Sequence, residues 1–332
     1  MLHLSNTNIG DLDALANKHF DRVYDKIREN LKKQKKALTK SAEDAKRSRL
    51  YKFLYQKEVL TEVIKGTPAV LERVIDAVSL FDVKLKEKKD KDKKKEQEPL
   101  LKIFSYSDYD WEPYQLATDL GITSCCYCNR QYTIVVGDDK KKGTRPQFDH
   151  FFPKSRFPYL ALSFYNLIPS CSVCNSSLKG ADDVALGTHV HPYIEGFEEE
   201  TRFTTVPSCY EDIVGAMPPE QNAQKRMQVI FRQLSEDEEL KKRIQGNINL
   251  FRLEEVYTEH ADYIRGLIRL KVISNAAYMK DIAKLYDGLF DGEEELYRLI
   301  FGNYLQKEEF SKRPMAKLSR DILEGLGVYQ DK

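Results

Sequence analysis

Residues 122–180 read ITSCCYCNRQYTIVVGDDKKKGTRPQFDHFFPKSRFPYLALSFYNLIPSCSVCNSSLKG, and hold five of the chain's six cysteines. Cys125 and Cys128 form one C-x-x-C pair, and Cys171 and Cys174 form a second. Each pair can offer two thiolates from one tight turn, so four can close a tetrahedron around zinc. A redox couple or buried thiols would also use a C-x-x-C pair. Two pairs in one short stretch favour a structural zinc site, which in zinc-finger peptides contributes about 10–16 kcal/mol to folding. A subdomain must fold in the 42 residues between the pairs. Cys126, inside the first pair, is expected to point away from the metal. Cys209, far along the chain, is expected to be a small core residue.

Between the pairs lie Asp149 and His150, in FDHFFPKS at the end of a short apolar run, and Asn175 follows the last cysteine. Hydrolysis of a phosphodiester needs a base for water and a cation to neutralise the phosphate. An imidazole, with an ordinary pKa of about 6.5, suits the first task. A carboxylate and an amide oxygen suit a hard cation such as Mg²⁺. Asp149, His150 and Asn175 supply those groups. Alone, Asp149 reads better as a cap and His150 as a histidine with its hydrogen bonds satisfied. Between two zinc knuckles, catalysis becomes the better reading.

The order C-x-x-C, DHxxP, N, CxxCN resembles the HNH nuclease family, with its ββα-metal fold and an added four-cysteine zinc site. The resemblance covers under a fifth of the chain. It implies that His150 is the general base, that Asp149 and Asn175 ligate a catalytic Mg²⁺ or Mn²⁺, and that Asn166 braces the loop that orients His150. Lys179, four residues after Asn175, stands where some relatives carry another ligand; here it is assigned to phosphate contact. The products would carry 5′-phosphate and 3′-hydroxyl ends. The string from FDHFFPKS through CSVCNSSLKG and HPY, with KRPMAKLSRDI near the end of the sequence, is similar more narrowly to PtuB-type HNH subunits of Septu anti-phage systems and related retron modules. That similarity implies a PtuA-type ATPase partner. The chain itself has no G-x-x-x-x-G-K-[ST] loop for nucleotide.

Lys154, Arg156 and Arg145 could touch a nucleic-acid backbone, or be plain solvated surface. DNA is the default substrate and RNA stays open, because the motif reads backbone. His189 and His191, before Pro192, could ligate metal but read better as a structural loop. His260 reads as a helix position, and His3 and His19 as surface or packing residues.

The elements that must position these groups come from hydrophobic spacing. Leu12, Leu15, Phe20, Val23, Tyr24, Ile27 and Leu31 recur at helical intervals, and Thr67-Pro68 starts a helix with Leu71, Val74, Ile75 and Val78 inward. The region 1–83 is therefore expected to be helical. In 84–98, KLKEKKDKDKKKEQE, thirteen of fifteen residues are charged, so 84–99 reads as a solvated linker or, less well, a basic arm. Region 100–200 turns rich in Gly, Pro, Cys and aromatics. QYTIVVG reads as a strand and GDDKKKGTRP as an exposed turn. In 201–332 helices return, with Val229, Ile230 and Leu234 on one stripe, Val256 to Ile273 on another, and EEELYRLIFGNYL beyond.

The expected fold is α+β: an HNH core with its zinc site, embedded between mainly helical regions. The helices could dock a partner or complete the chain's own core. Net charge is +1 in 332 residues, which neither demands nor excludes nucleic acid. No apolar run reaches the roughly 18 residues of a membrane span, and the opening lacks a signal-peptide layout. The cytoplasm is the expected location. The competing function class is a non-catalytic zinc module that binds nucleic acid or a protein.

Overall fold

The computed structural model describes residues 1–4, 10–38, 41–83, 99–104, 112–180, 182–216, 227–274, 276–285, 288 and 292–328. The charged segment 84–98 lies outside them. The chain divides into two compact units. One comprises Ile9–Gly121 and Ile134–Ile194; the other comprises Met1–Asn8, Ile122–Thr133 and Glu195–Lys332.

The first unit opens with four helices: α1 (Leu12–Lys36), α2 (Ala42–Leu54), α3 (Lys57–Lys65) and α4 (Pro68–Ser79). Helix α1 starts where the Asp11 side chain accepts from the Asp13 amide, and it closes on three lysines in the last turn, which suit the helix dipole. It buries Ala16, His19, Val23, Ile27 and Leu31, a single stripe at helical spacing. Ser41 caps α2 through the Asp44 amide. Pro68 starts α4 after Thr67, and Leu71, Val74 and Val78 are buried while Ile75 is half-buried.

Two short helices, α5 (Pro99–Ile103) and α6 (Pro113–Leu120), lead to the hairpin. Strand β1 (Gln147–His150) pairs antiparallel with β2 (Leu167–Ser170), in the register Gln147 to Ser170 and His150 to Leu167. Helix α7 (Val173–Lys179) follows at once and is π-wound, with the Gly180 amide bonded to the Asn175 carbonyl. The hairpin is buried almost throughout, so its alternation is hidden: Phe148, Asp149 and His150 are all covered, as is all of β2.

QYTIVVG is not a strand. It makes only isolated bridges, Ser124 to Tyr132 and Val136 to Thr144. Tyr132, Ile134 and Val136 stay exposed, and without burial the residues gain nothing from a longer ladder. The turn after it is exposed as expected. Gly137 takes φ +90°, and a Cβ on Gly143 would sit 2.2 Å from the Val136 carbonyl oxygen.

The second unit is built on β3 (Thr201–Val206), the short α8 (Tyr210–Ile213), β4 (Gln228–Gln233), α9 (Glu238–Leu250), α10 (Leu253–Thr258), α11 (Ala261–Ile273), α12 (Ala276–Leu285), α13 (Glu293–Phe301) and α14 (Ala316–Gly325). The stripe read as helical at Val229 and Ile230 is strand β4, paired antiparallel with β3. Val229 and Phe231 turn to a core with Phe203, Tyr257, Ile264 and Leu318. A run of β-branched and aromatic residues satisfies a strand's period of two as well as a helix's. Cys209 is half exposed rather than in the core, because it stands at the start of α8 on the surface.

A buried ion pair ties α14 to β3. The Lys317 ammonium lies 2.6 Å from Asp321 Oδ2 and donates to the carbonyls of Glu198 and Thr201; Asp321 also accepts from the Phe203 amide. Among the described residues no helix is long and apolar enough to cross a membrane.

Buried histidines make the first unit sensitive to acid. Burial lowers His19 to about 4 and His191 to about 3. An unfolded histidine takes up its proton near pH 6.5. The unfolded chain therefore binds more protons between those values, and stability falls as pH drops from about 6.5 toward 4. His19→Gln, which keeps a donor for Leu162, should flatten this decline in urea-unfolding midpoint measured against pH. An unchanged slope would show that His19 does not titrate on unfolding.

Candidate metal centre and hydrolytic site

Each cysteine pair is shaped by local turns. At the first, the Asn129 amide bonds to the Cys125 carbonyl, 2.7 Å, and Asn129 takes φ +47°. Its side chain donates to Ser124 Oγ and the Phe310 carbonyl, 2.9 and 2.8 Å. The Tyr257 hydroxyl donates to the Cys128 carbonyl. At the second pair, the Cys174 amide points at Cys171 Sγ, 3.4 Å, and the Asn175 amide bonds to the Cys171 carbonyl, 3.0 Å.

Cys125, Cys128, Cys171 and Cys174 are all buried, and their Sγ atoms all lie within 4.8 Å of one another. A tetrahedron with Zn–S of about 2.3 Å has S···S edges of about 3.8 Å. The four thiols thus form a group that can hold a metal ion, and their number, softness and spacing suit zinc. None of the six cysteines forms a disulfide. Cys126 is not in the group; burial pushes its thiol well above the ordinary range.

The hairpin carries the second cluster. Asn166, fully buried, ends the connection 151–166 between β1 and β2. Its Nδ2 donates to the carbonyls of Phe152 and Leu160, 3.1 and 2.9 Å, and its Oδ1 accepts from the Phe152 amide, 2.7 Å. The start and the middle of the connection are thereby fastened to one side chain. His150 Nε2 lies 3.0 Å from the Ala161 carbonyl, one residue past Leu160. A carbonyl only accepts, so Nε2 carries the proton and the lone pair of the neutral ring is on Nδ1.

Helices hold the same connection from behind. His19 Nε2 donates to the Leu162 carbonyl, 2.8 Å, and the Ser163 hydroxyl donates to the Val63 carbonyl. The neighbours of Ala161 are therefore anchored on α1 and α3.

Burial lowers His150 to about 3, Lys154 and Lys179 lower it further, and the Ala161 bond opposes them. The ring is neutral at pH 7.

Lys179, assigned from the sequence to phosphate contact, is buried. Its ammonium lies 3.0 Å from Asp149 Oδ1 and 2.7 Å from the His150 carbonyl; both side chains of the pair are about 2% exposed. Asn175 meets a different residue of β1: its Nδ2 donates to Gln147 Oε1, 2.8 Å, as does Ser176 Oγ, 3.0 Å. The residues that β1 presents to α7 are thus Gln147 for Asn175 and Asp149 for Lys179. Removing one member of a buried pair of this kind costs about 3–5 kcal/mol.

Lys154 and Arg156 are exposed beside this site, and Arg156 pairs with Asp183 at 2.6 Å. Arg145 bonds to the Pro146 carbonyl and lies over the rings of Tyr114 and Phe148. His191 is buried 4.2 Å from the Phe151 ring, with Nδ1 accepting from the Tyr193 amide. The half-buried His189 accepts or donates at Thr188 Oγ1, 2.8 Å.

Sequence reasoning missed Gln147 and the Asp149–Lys179 pair. The one signal was that Asn175 and Lys179, four apart, share a helix face. Comparison of the chain with family models, curated proteins and solved structures finds no significant match.

Purified protein should contain one zinc per chain by elemental analysis. Cys174→Ser should lower that content to near zero, together with the urea-unfolding midpoint. Folded wild-type protein without zinc would contradict the assignment.

Proposed function

We propose that the chain is an HNH-type endonuclease, with DNA as the default substrate, in which His150 activates water against a phosphodiester. The observation that carries this reading is the fastening of His150. Its Nε2–H is spent on the Ala161 carbonyl, and Asn166 fixes the loop bearing that carbonyl. A base held in one tautomer by a backbone acceptor is what proton abstraction requires. The order of β1, a long connection, β2 and a helix beside four cysteines also suits the ββα plan of that family.

Nδ1 takes a proton from water as the water oxygen attacks phosphorus. The bond from phosphorus to the 3′ oxygen breaks, and that oxygen takes a proton from solvent water, leaving 5′-phosphate and 3′-hydroxyl ends. The diester's negative charge, next to the ring, raises the histidine's proton affinity from its buried value. Lys154 and Arg156, on the exposed side of the connection, are suited to backbone contact.

A catalytic Mg²⁺ or Mn²⁺ on Asp149 and Asn175 does not fit the arrangement as it stands. Asp149 Oδ1 faces the Lys179 ammonium, and Asn175 donates to Gln147. No step above depends on that ion. The same pair favours the second reading, a zinc module without catalysis, in which Asp149 and Lys179 only lock α7 to β1. A PtuA-type ATPase is proposed as the partner that would restrain the nuclease, on the strength of the sequence similarity alone.

His150→Ala should lower single-turnover cleavage about 10²–10⁴-fold with zinc content unchanged. Cleavage at the wild-type rate would remove His150 from the mechanism. No cleavage by either protein, with or without a co-expressed ATPase, would favour the second reading.

A further inference from the structure

Lys179 is the side chain for which hydrolysis by His150 has no use. Its ammonium is enclosed by one carboxylate oxygen, on Asp149, and one backbone carbonyl, on His150. These acceptors belong to consecutive residues of β1. A carboxylate and a carbonyl converging on one point are the kind of donors a hard divalent cation takes. The separations of 3.0 and 2.7 Å are those of charge-assisted hydrogen bonds, and Mg²⁺ would need its ligands at about 2.0–2.1 Å. The ammonium and such an ion cannot share the point.

Charge agrees with geometry. Lys179 and Asp149 are both about 2% exposed and balance each other. Lys179 is the last residue of α7, followed by Gly180 at φ +55°, where an added Cβ would meet nothing within 4 Å. A side chain at a helix end can withdraw without unwinding the turns that carry Cys174 and Asn175.

We infer that Lys179 is a resident cation, its ammonium holding the place between Asp149 and His150 that a divalent metal ion would take, so that Lys179 and metal are alternative occupants. Metal then binds only when Lys179 leaves. The inference rests on reading Asp149 as part of the hydrolytic centre, but it is tested without nucleic acid.

Mn²⁺ binding to the zinc-loaded full chain is measured by calorimetry for wild type, Lys179→Met and Asp149→Asn. Lys179→Met should bind Mn²⁺ about tenfold more tightly than wild type or better, as expected when a competing occupant is removed. Asp149→Asn should bind less well than wild type. Equal or weaker binding by Lys179→Met, or none by either protein, overturns the inference. Should Lys179→Met fail to fold, wild type decides by chemical acetylation read by mass spectrometry. Lys179 should be protected without Mn²⁺ and modified in millimolar Mn²⁺; unchanged protection overturns the inference. Cleavage that needs His150, with no gain of Mn²⁺ affinity in Lys179→Met, removes this inference and leaves the nuclease. Tight Mn²⁺ binding by Lys179→Met in a chain that never cuts does the reverse.

Discussion

Asn166 is fully buried, and a buried primary amide left without partners costs about 1–3 kcal/mol for each unsatisfied group. The chain meets that demand by wrapping the 151–166 connection around it. Phe152 supplies a donor and an acceptor at one end, and Leu160 supplies an acceptor from the middle. The rest of the hairpin site depends on this. Ala161, which faces His150, directly follows the Leu160 that Asn166 holds. His19 and Ser163 reach the next two residues from the side of α1 and α3. The N-terminal helices thus have a structural task, to back the loop that sets one imidazole.

The four cysteines solve a different problem. Strands of four residues and a helix of seven bury little apolar surface by themselves. A metal held by four thiolates can supply what such small elements lack. The first pair is further held within the second unit by Tyr257 and by Asn129 against Phe310. That unit's own core is aromatic and aliphatic; Lys317 and Asp321, both on α14, join it to β3 through Thr201 and Phe203, whereas Lys179–Asp149 spans α7 and β1 directly.

The cysteine group was legible because each pair is a local turn and spacing alone reports it. Helices α1 and α4 were legible for a similar reason: their inward stripes repeat at one period. Strand β4 was not, since three adjacent apolar residues fit either period and the partner strand lies over twenty residues earlier. QYTIVVG has the composition of a strand, yet only isolated bridges, at Tyr132 and Val136, pair with it. At the site, Asp149, His150, Asn166 and Asn175 stand out by type and order. Which of Asn175 and Lys179 meets Asp149 depends on how α7 is wound and where it lies on β1. Spacing does not contain that information. Nor does it show that Lys179 is buried, because lysine is ordinarily a surface residue.

The chemistry proposed for His150 and the neutralisation of Asp149 by Lys179 are separable, since the first depends on the Asn166 loop and the second on α7. The central claim is that a histidine so fastened hydrolyses nucleic acid. Its most direct test is to incubate the zinc-loaded chain with end-labelled DNA and RNA, alone and with the proposed ATPase co-expressed, and to determine the ends of any products. The account predicts cuts with 5′-phosphate and 3′-hydroxyl ends. Intact substrates throughout, or products with 3′-phosphate ends, would contradict it.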